Sequence, residues 1–472
     1  MTVVGLLGFS NIDLEQSLDF GFDRWQPITT YASQGFITSF TEMVNELPIE
    51  KPEDYTPDEA QSIEQELAAA YDSTYGSSEQ RAAAVAQFNE IKPTIVAVMN
   101  ESFSDLSCFE QLQAAGYTGP AFYNSLPDTL VRGTMLASVT GGGTANSEFE
   151  FLTGATTAFV GLGKIPYQLY QMNGVNSLAK DLKELGYTTT AMHPQNPVNY
   201  HRDKIYQQLG FGDFLSIGDF EGAPYYHAGV CDYATYDKIL DLLRTDEAPQ
   251  FIFDVTMQNH GGYDYGTVPV EELTNYWVEG ASEGANSALN TYLTCINASD
   301  RDLEYFINEL RNIGRPVVLV FFGDHQPSAA TTLNDELYPQ EDTASHAFRI
   351  YQSTYFVWAN YEIAGNTELN VYDTVGANEI AAITLNKIGA PLTDYQKALL
   401  ATRSDVPTIN VAGYLGADGL RYDLESEDSH TPRRSTSCSA CNTSSSPAKF
   451  NKPAHSLGPI VLQARSAQMH RK

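Results

Sequence analysis

Cysteine is scarce in this chain, with five among 472 residues. Cys108, Cys231 and Cys295 are scattered through the body, and Cys438 and Cys441 form one CxxC near the end. That spacing excludes a disulfide framework. One CxxC without a second pair, set among Ser and Thr, offers no fold to hold zinc. Basic residues are also few, 27 Lys and Arg against 59 Asp and Glu. A net charge of −32 argues against a nucleic-acid backbone as partner. Long apolar runs are missing as well: no stretch reaches the roughly 18 residues a membrane span needs. The opening MTVVGLLGFS lacks the charged start and cleavage site of a signal peptide.

What is present suits a large core, since 42% of residues are hydrophobic. Composition divides the chain into three. Residues 1–90 read as a helical N-terminal linker region, with amphipathic stretches near 31–46 and 58–89 on either side of LPIEKPEDYTP. Over 91–428, short apolar runs alternate with helical patterns. The runs are TIVAVM (94–99), TTTAM (188–192), FIFDVTM (251–257) and VVLVFF (317–322). The helical patterns include SLAKDLKELG, YDKILDLLRT and DRDLEYFINELRNIG. This alternation predicts an α/β fold, a largely parallel central β-sheet sandwiched between helices. Residues 429–472 are rich in Ser, Thr and Pro and reverse the charge of the body, with seven Lys or Arg and no acidic residue. They read as a disordered or appended tail.

The polar residues that follow the strands carry the chemistry. TIVAVM runs into Asn100-Glu101-Ser102, TTTAM into His193, FIFDVTM into Gln258-Asn259-His260, and VVLVFF into Gly323-Asp324-His325. Ligands of open α/β sheets bind at the carboxyl ends of strands, so Glu101, His193, His260, Asp324 and His325 converge on one edge. Any one of them alone reads more simply as a helix cap or a structural histidine; five at equivalent strand ends do not. Two carboxylates and an imidazole suit Mn²⁺, Mg²⁺ or Zn²⁺ and argue against a thiolate site. The strand-like GTMLASV then delivers GGGTANSEFEFLTG to the same edge. Here Thr144 stands after three glycines and before a helix expected near Asn146, whose amides face an anion. A threonine there can be an ordinary N-cap. Beside a divalent cation its hydroxyl is favoured as the alkoxide, a nucleophile for phosphorus or sulfur.

These segments resemble the alkaline phosphatase/sulfatase superfamily, and within it the lipoteichoic acid synthase and phosphoglycerol transferase branch. The resemblance runs from about Pro93 to Tyr422. It is carried by IVAVMNESFSDL, GGGTANSEFEFLTG, GYTTTAMHPQNPVNYHRDKIYQQLGFGDF, VTMQNHGGY and FFGDHQP. It implies one divalent metal, foremost Mn²⁺, on Glu101, Thr144, Asp324 and His325, with Thr144 also the nucleophile. It further implies that His193, Tyr200, Arg202 and His260 line the glycerophosphate pocket. His260 can serve as general acid toward the leaving oxygen or as a hydrogen-bond donor to phosphate. Arg202 can fork onto phosphate oxygens or pair with Asp203 or another nearby carboxylate. Tyr200 stands where related synthases carry Trp, and Gln195 where they carry an acidic residue.

The expected reaction is a two-step transfer from a phosphatidylglycerol headgroup to a polyol-phosphate or glycan acceptor. The expected setting is the outer face of a bacterial membrane, with this chain the ectodomain of an anchored protein. Phosphoethanolamine transfer and phosphodiesterase- or sulfatase-type hydrolysis are the nearest alternatives. The C/S-x-P-x-R sequence that matures to formylglycine in classical sulfatases is absent. A non-catalytic envelope-binding domain predicts decay of a metal-site residue, and all four are in place.

Overall fold

The computed structural model describes residues 27–45, 49 and 56–424. The expected tail at 429–472 and the first residues of the chain lie outside the described residues. The first four strands are β1 (Thr94–Asn100), β2 (Thr129–Leu136), β3 (Thr188–Met192) and β4 (Asp213–Leu215). A small ribbon follows, β5 (Tyr225–Tyr226) with β6 (Gly229–Val230). The main sheet resumes with β7 (Gln250–Val255), β8 (Val317–Gly323), β9 (Gln352–Ala359) and β10 (Val371–Gly376). Its eight strands lie in the order β10-β2-β9-β8-β1-β7-β3-β4.

Every residue of β1, β7 and β8 is buried. Such continuous apolar strands are what a sheet covered by helices on both faces requires. Alternation assigns the faces. Phe322 packs with Phe151 on one side at 4.8 Å, while its neighbour Phe321 stacks on Phe356 on the other at 5.3 Å. The sheet is largely parallel, as the alternation predicts. Only β9 opposes its neighbours, antiparallel to both β2 and β8. The two reversals cancel, so β2 points the same way as β8, β1, β7 and β3. With β10 parallel to β2 and β4 parallel to β3, seven carboxyl ends therefore lie at one edge.

N-terminal to the sheet, helices Pro57–Ser73 and Glu79–Ile91 begin at side-chain caps, Thr56 and Ser78. Both pack on the body: Ile63, Tyr71 and Phe88 join its core, and Tyr71 Oη donates to Asn386 Oδ1 at 2.5 Å. At the far end, β11 (Thr408–Asn410), β12 (Gly413–Leu415) and β13 (Arg421–Tyr422) form a small antiparallel sheet. Among the described residues, no helix is long and apolar enough to cross a membrane.

Candidate metal centre and transfer site

Glu101 directly follows β1, and Asp324-His325 directly follow β8, the strand paired with it. Adjacent parallel strands thus set two carboxylates and an imidazole side by side, all buried, with one ligand atom each within 4.8 Å of one another. Local bonds hold them still. Asp324 Oδ1 accepts from the amides of Ser102 at 2.7 Å and His325 at 2.9 Å. Ser102 Oγ donates to Glu101 Oε1 at 2.9 Å, from a backbone at φ 54°. Such a left-handed non-glycine backbone costs free energy and persists only where its surroundings impose it. Asn259 Nδ2 donates to the Glu101 carbonyl at 3.2 Å.

The donor set fits a divalent cation. His325 Nδ1–H donates to the Gln326 carbonyl at 2.9 Å, so Nε2 presents a lone pair in the neutral ring. That atom lies 3.1 Å from Asp324 Oδ2, yet neither has a hydrogen-bond partner. Two buried acceptors facing each other cost free energy unless a proton or a metal cation lies between them. The same imbalance appears in the acid. Burial, then the charge of Glu101, pushes the Asp324 carboxyl up to about 6.

Thr144 opens the helix Thr144–Thr153, two residues earlier than the sequence suggests. The N-cap is Gly143 at φ 86°, so the capping explanation for the threonine hydroxyl does not hold. Its Oγ1 instead faces the carboxylates, 3.5 Å from Glu101 Oε2. Glycine is required in this turn: a Cβ on Gly143 would meet Val139 Cγ1 at 2.8 Å.

A cavity of about 1140 Å³ opens over these groups. Glu101, Thr144 and His325 line its floor, and His193, Gln195, Tyr200, Arg202 and His260 line its walls. Asp324 lies beneath, fully buried. His193 Nδ1–H donates to the Val255 carbonyl at 2.9 Å. Burial, and then the Arg202 cation, hold this imidazole well below its usual pKa, so the ring is neutral with Nε2 as an acceptor. His260 is exposed at the rim. Tyr200 and His201 are consecutive left-handed residues, at φ 55° and 59°, and the Tyr200 ring lies under the Arg202 guanidinium at 4.9 Å.

Arg202 is buried and makes a carboxylate pair, but not with Asp203. Its Nε donates to Glu148 Oε1 at 2.9 Å, Nη2 bonds the same oxygen, and Tyr206 Oη donates to Glu148 Oε2 at 2.8 Å. Glu148 was not among the expected site residues. Its only signal in the sequence is the four-residue step from Thr144, which puts both on one helix face.

The sulfatase family profile matches residues 93–380. A Rhizobium meliloti protein described as a candidate cyclic beta-1,2-glucan modification protein is 30% identical over 254 residues, 54% of this chain and 38% of its own length. The lipoteichoic acid synthase of Staphylococcus saprophyticus is 28% identical over 170 residues, 34% of this chain and 24% of its own. The chain therefore spans less than half the length of either relative. Among solved structures, the Streptococcus pyogenes phosphoglycerol transferase GacH, in complex with sn-glycerol-1-phosphate, superposes with a TM-score of 0.63. That match covers 89% of this chain and 94% of the other at 21% identity, a likeness of fold.

Proposed function

We propose, from the premise that the chain belongs to the sulfatase family, that it transfers glycerophosphate from a phosphatidylglycerol-type lipid to a hydroxyl acceptor. One observation carries the choice of headgroup. Among the described residues, the only carboxylate lining the cavity is Glu101, which faces the metal site. A cationic ethanolamine would find no counter-ion there. A neutral diol finds the His193 Nε2 acceptor and the amide of Gln195. A lipoteichoic acid synthase and a phosphoglycerol transferase among the similar proteins support this reading.

Glu101, Thr144, Asp324 and His325 would hold the divalent ion, Mn²⁺ foremost. Its positive charge there would favour the Thr144 alkoxide, the hydroxyl proton passing to solvent, and would offset charge on the phosphoryl oxygens. Thr144 Oγ1 attacks phosphorus; the bond to the diacylglycerol oxygen breaks, and that oxygen takes a proton, with His260 at the rim placed to supply it. In the second step an acceptor hydroxyl attacks the glycerophospho-threonine and gives its proton back to His260, and the Thr144 oxygen leaves as the alkoxide. Arg202, its Nε side committed to Glu148, offers its Nη1 end to the phosphoryl oxygens. The cavity exceeds the range of about 300–1,000 Å³ usual for small ligands, leaving room for a polyol-phosphate or glycan acceptor. Such a lipid donor would put the reaction at a membrane surface, and the outer face is the setting proposed here.

Vesicles of phosphatidylglycerol or phosphatidylethanolamine, given to the Mn²⁺-loaded protein, test the reading. Diacylglycerol should form from phosphatidylglycerol at least ~10-fold faster, about 1.4 kcal/mol of discrimination. Equal or faster release from phosphatidylethanolamine, or turnover of a sulfate ester alone, contradicts it.

A further inference from the structure

We propose that Glu148 is a positioning residue that fixes Arg202 in the cavity wall and offsets its charge, so that the transferred group is held loosely enough to leave. The inference rests on the preceding reading, in which Arg202 meets the phosphoryl group. Glu148 lies on the helix that begins with Thr144, one turn along and on the same face. Both ends of the pair are buried, Arg202 at 2% exposure and Glu148 at 0%. Burial in such an arrangement is tolerable only with charges paired and hydrogen bonds made. Here the arginine's Nε and Nη2 sit on Glu148 Oε1, and Tyr206 Oη bonds Oε2 at 2.8 Å. The Tyr200 ring closes the guanidinium face at 4.9 Å.

Two consequences follow from this geometry. The nucleophile and the arginine are registered to one helix, so the phosphoryl group is aligned with Thr144 through Glu148. The pair is also neutral overall. An uncompensated guanidinium grips phosphate strongly, which would hold the glycerophospho group in a site that must give it up to an acceptor. By keeping the side edge of Arg202 and its counter-charge, Glu148 weakens that grip.

Inorganic phosphate is the probe, titrated into the Mn²⁺-loaded protein by calorimetry, with transfer kinetics measured alongside. Glu148→Gln keeps the size and one acceptor but removes the charge. It should bind phosphate about tenfold tighter and lower both kcat and KM. A scaffold role alone predicts a lower Tm with phosphate affinity and KM unchanged, and that outcome overturns the proposal. Glu148→Asp serves if the Gln variant fails to accumulate. Its shorter carboxylate withdraws from the guanidinium, so phosphate should bind roughly threefold tighter, and unchanged or weaker binding again overturns the proposal. Arg202→Gln separates the two readings: if it leaves phosphate affinity at the wild-type value, Arg202 does not face the anion. The preceding account of the pocket then fails, and this one with it. The phosphate measurements need no lipid, so they stand even if phosphatidylglycerol proves to be the wrong donor.

Discussion

Asp324 shows how much of a site one residue can carry. It has no solvent exposure, one oxygen satisfied by two amides and the other facing His325 without a partner. Asp324→Ala should abolish binding of the divalent ion. In the wild type, Mn²⁺ at about a hundred times its Kd should raise stability by about 2.7 kcal/mol. The variant should show no metal-dependent rise in Tm, and it should still fold, because the change also removes a buried charge beside Glu101. A full metal-dependent shift in the variant would mean a different ligand set. Glu101, Asp324 and His325 were legible in the sequence because each follows closely on the end of an apolar run, a position fixed by local pattern. Glu148 was not. Its partner is 54 residues away, and nothing local distinguishes a buried paired carboxylate from a solvated one in a helix.

The element that matters most is the turn between β2 and the Thr144 helix. Gly141, Gly142 and Gly143 all have positive φ, and Gly141 N donates to the Gln326 carbonyl at 2.8 Å, tying the turn to the segment after Asp324. Gly143→Ala puts a Cβ against Val139 at φ 86°. It should cost about 1–2 kcal/mol of stability. It should lower turnover at least ~10-fold, since displacement of about 1 Å near the reacting atoms has effects of that order or more. Denaturant unfolding and transfer rates check both. Wild-type activity in this variant would mean the turn does not set the nucleophile. The glycines announced this turn in the sequence, and the strands that end at the site were legible from their apolar runs. β9 and β10 were not anticipated. QSTYFVWA lacks a clean alternation because it is buried on both sides, and VYDTVG is a half-exposed edge strand paired only with β2. The antiparallel insertion of β9 is a tertiary choice that no local pattern encodes.

At the scale of the whole molecule, buried acids give stability a pH dependence. Burial pushes Asp254, near the carboxyl end of β7, up to about 7, and among the described residues Thr235 Oγ1 alone donates to it, at 2.6 Å. A carboxyl raised in the folded state binds its proton more tightly than in the unfolded chain. Stability should therefore fall as pH rises from about 4 to 7 and level off above that. Asp254→Asn should narrow the difference between metal-free stability at pH 5 and pH 8 by a few kcal/mol, since each tenfold gain in proton affinity is worth about 1.4 kcal/mol. Denaturant midpoints at the two pH values check this; an unchanged difference would place the ionisation elsewhere. The same molecule brings a candidate metal centre, a threonine and an arginine-lined cavity to one sheet edge, and the account stands on that threonine acting as the nucleophile. The most direct measurement is mass spectrometry of the Mn²⁺-loaded protein after incubation with phosphatidylglycerol and no acceptor. The account predicts that the peptide containing Thr144 gains one glycerophosphate, and that Thr144→Ala folds normally but neither gains the mass nor releases diacylglycerol. Release of diacylglycerol by the Ala variant at the wild-type rate, with no adduct on any peptide, would contradict it.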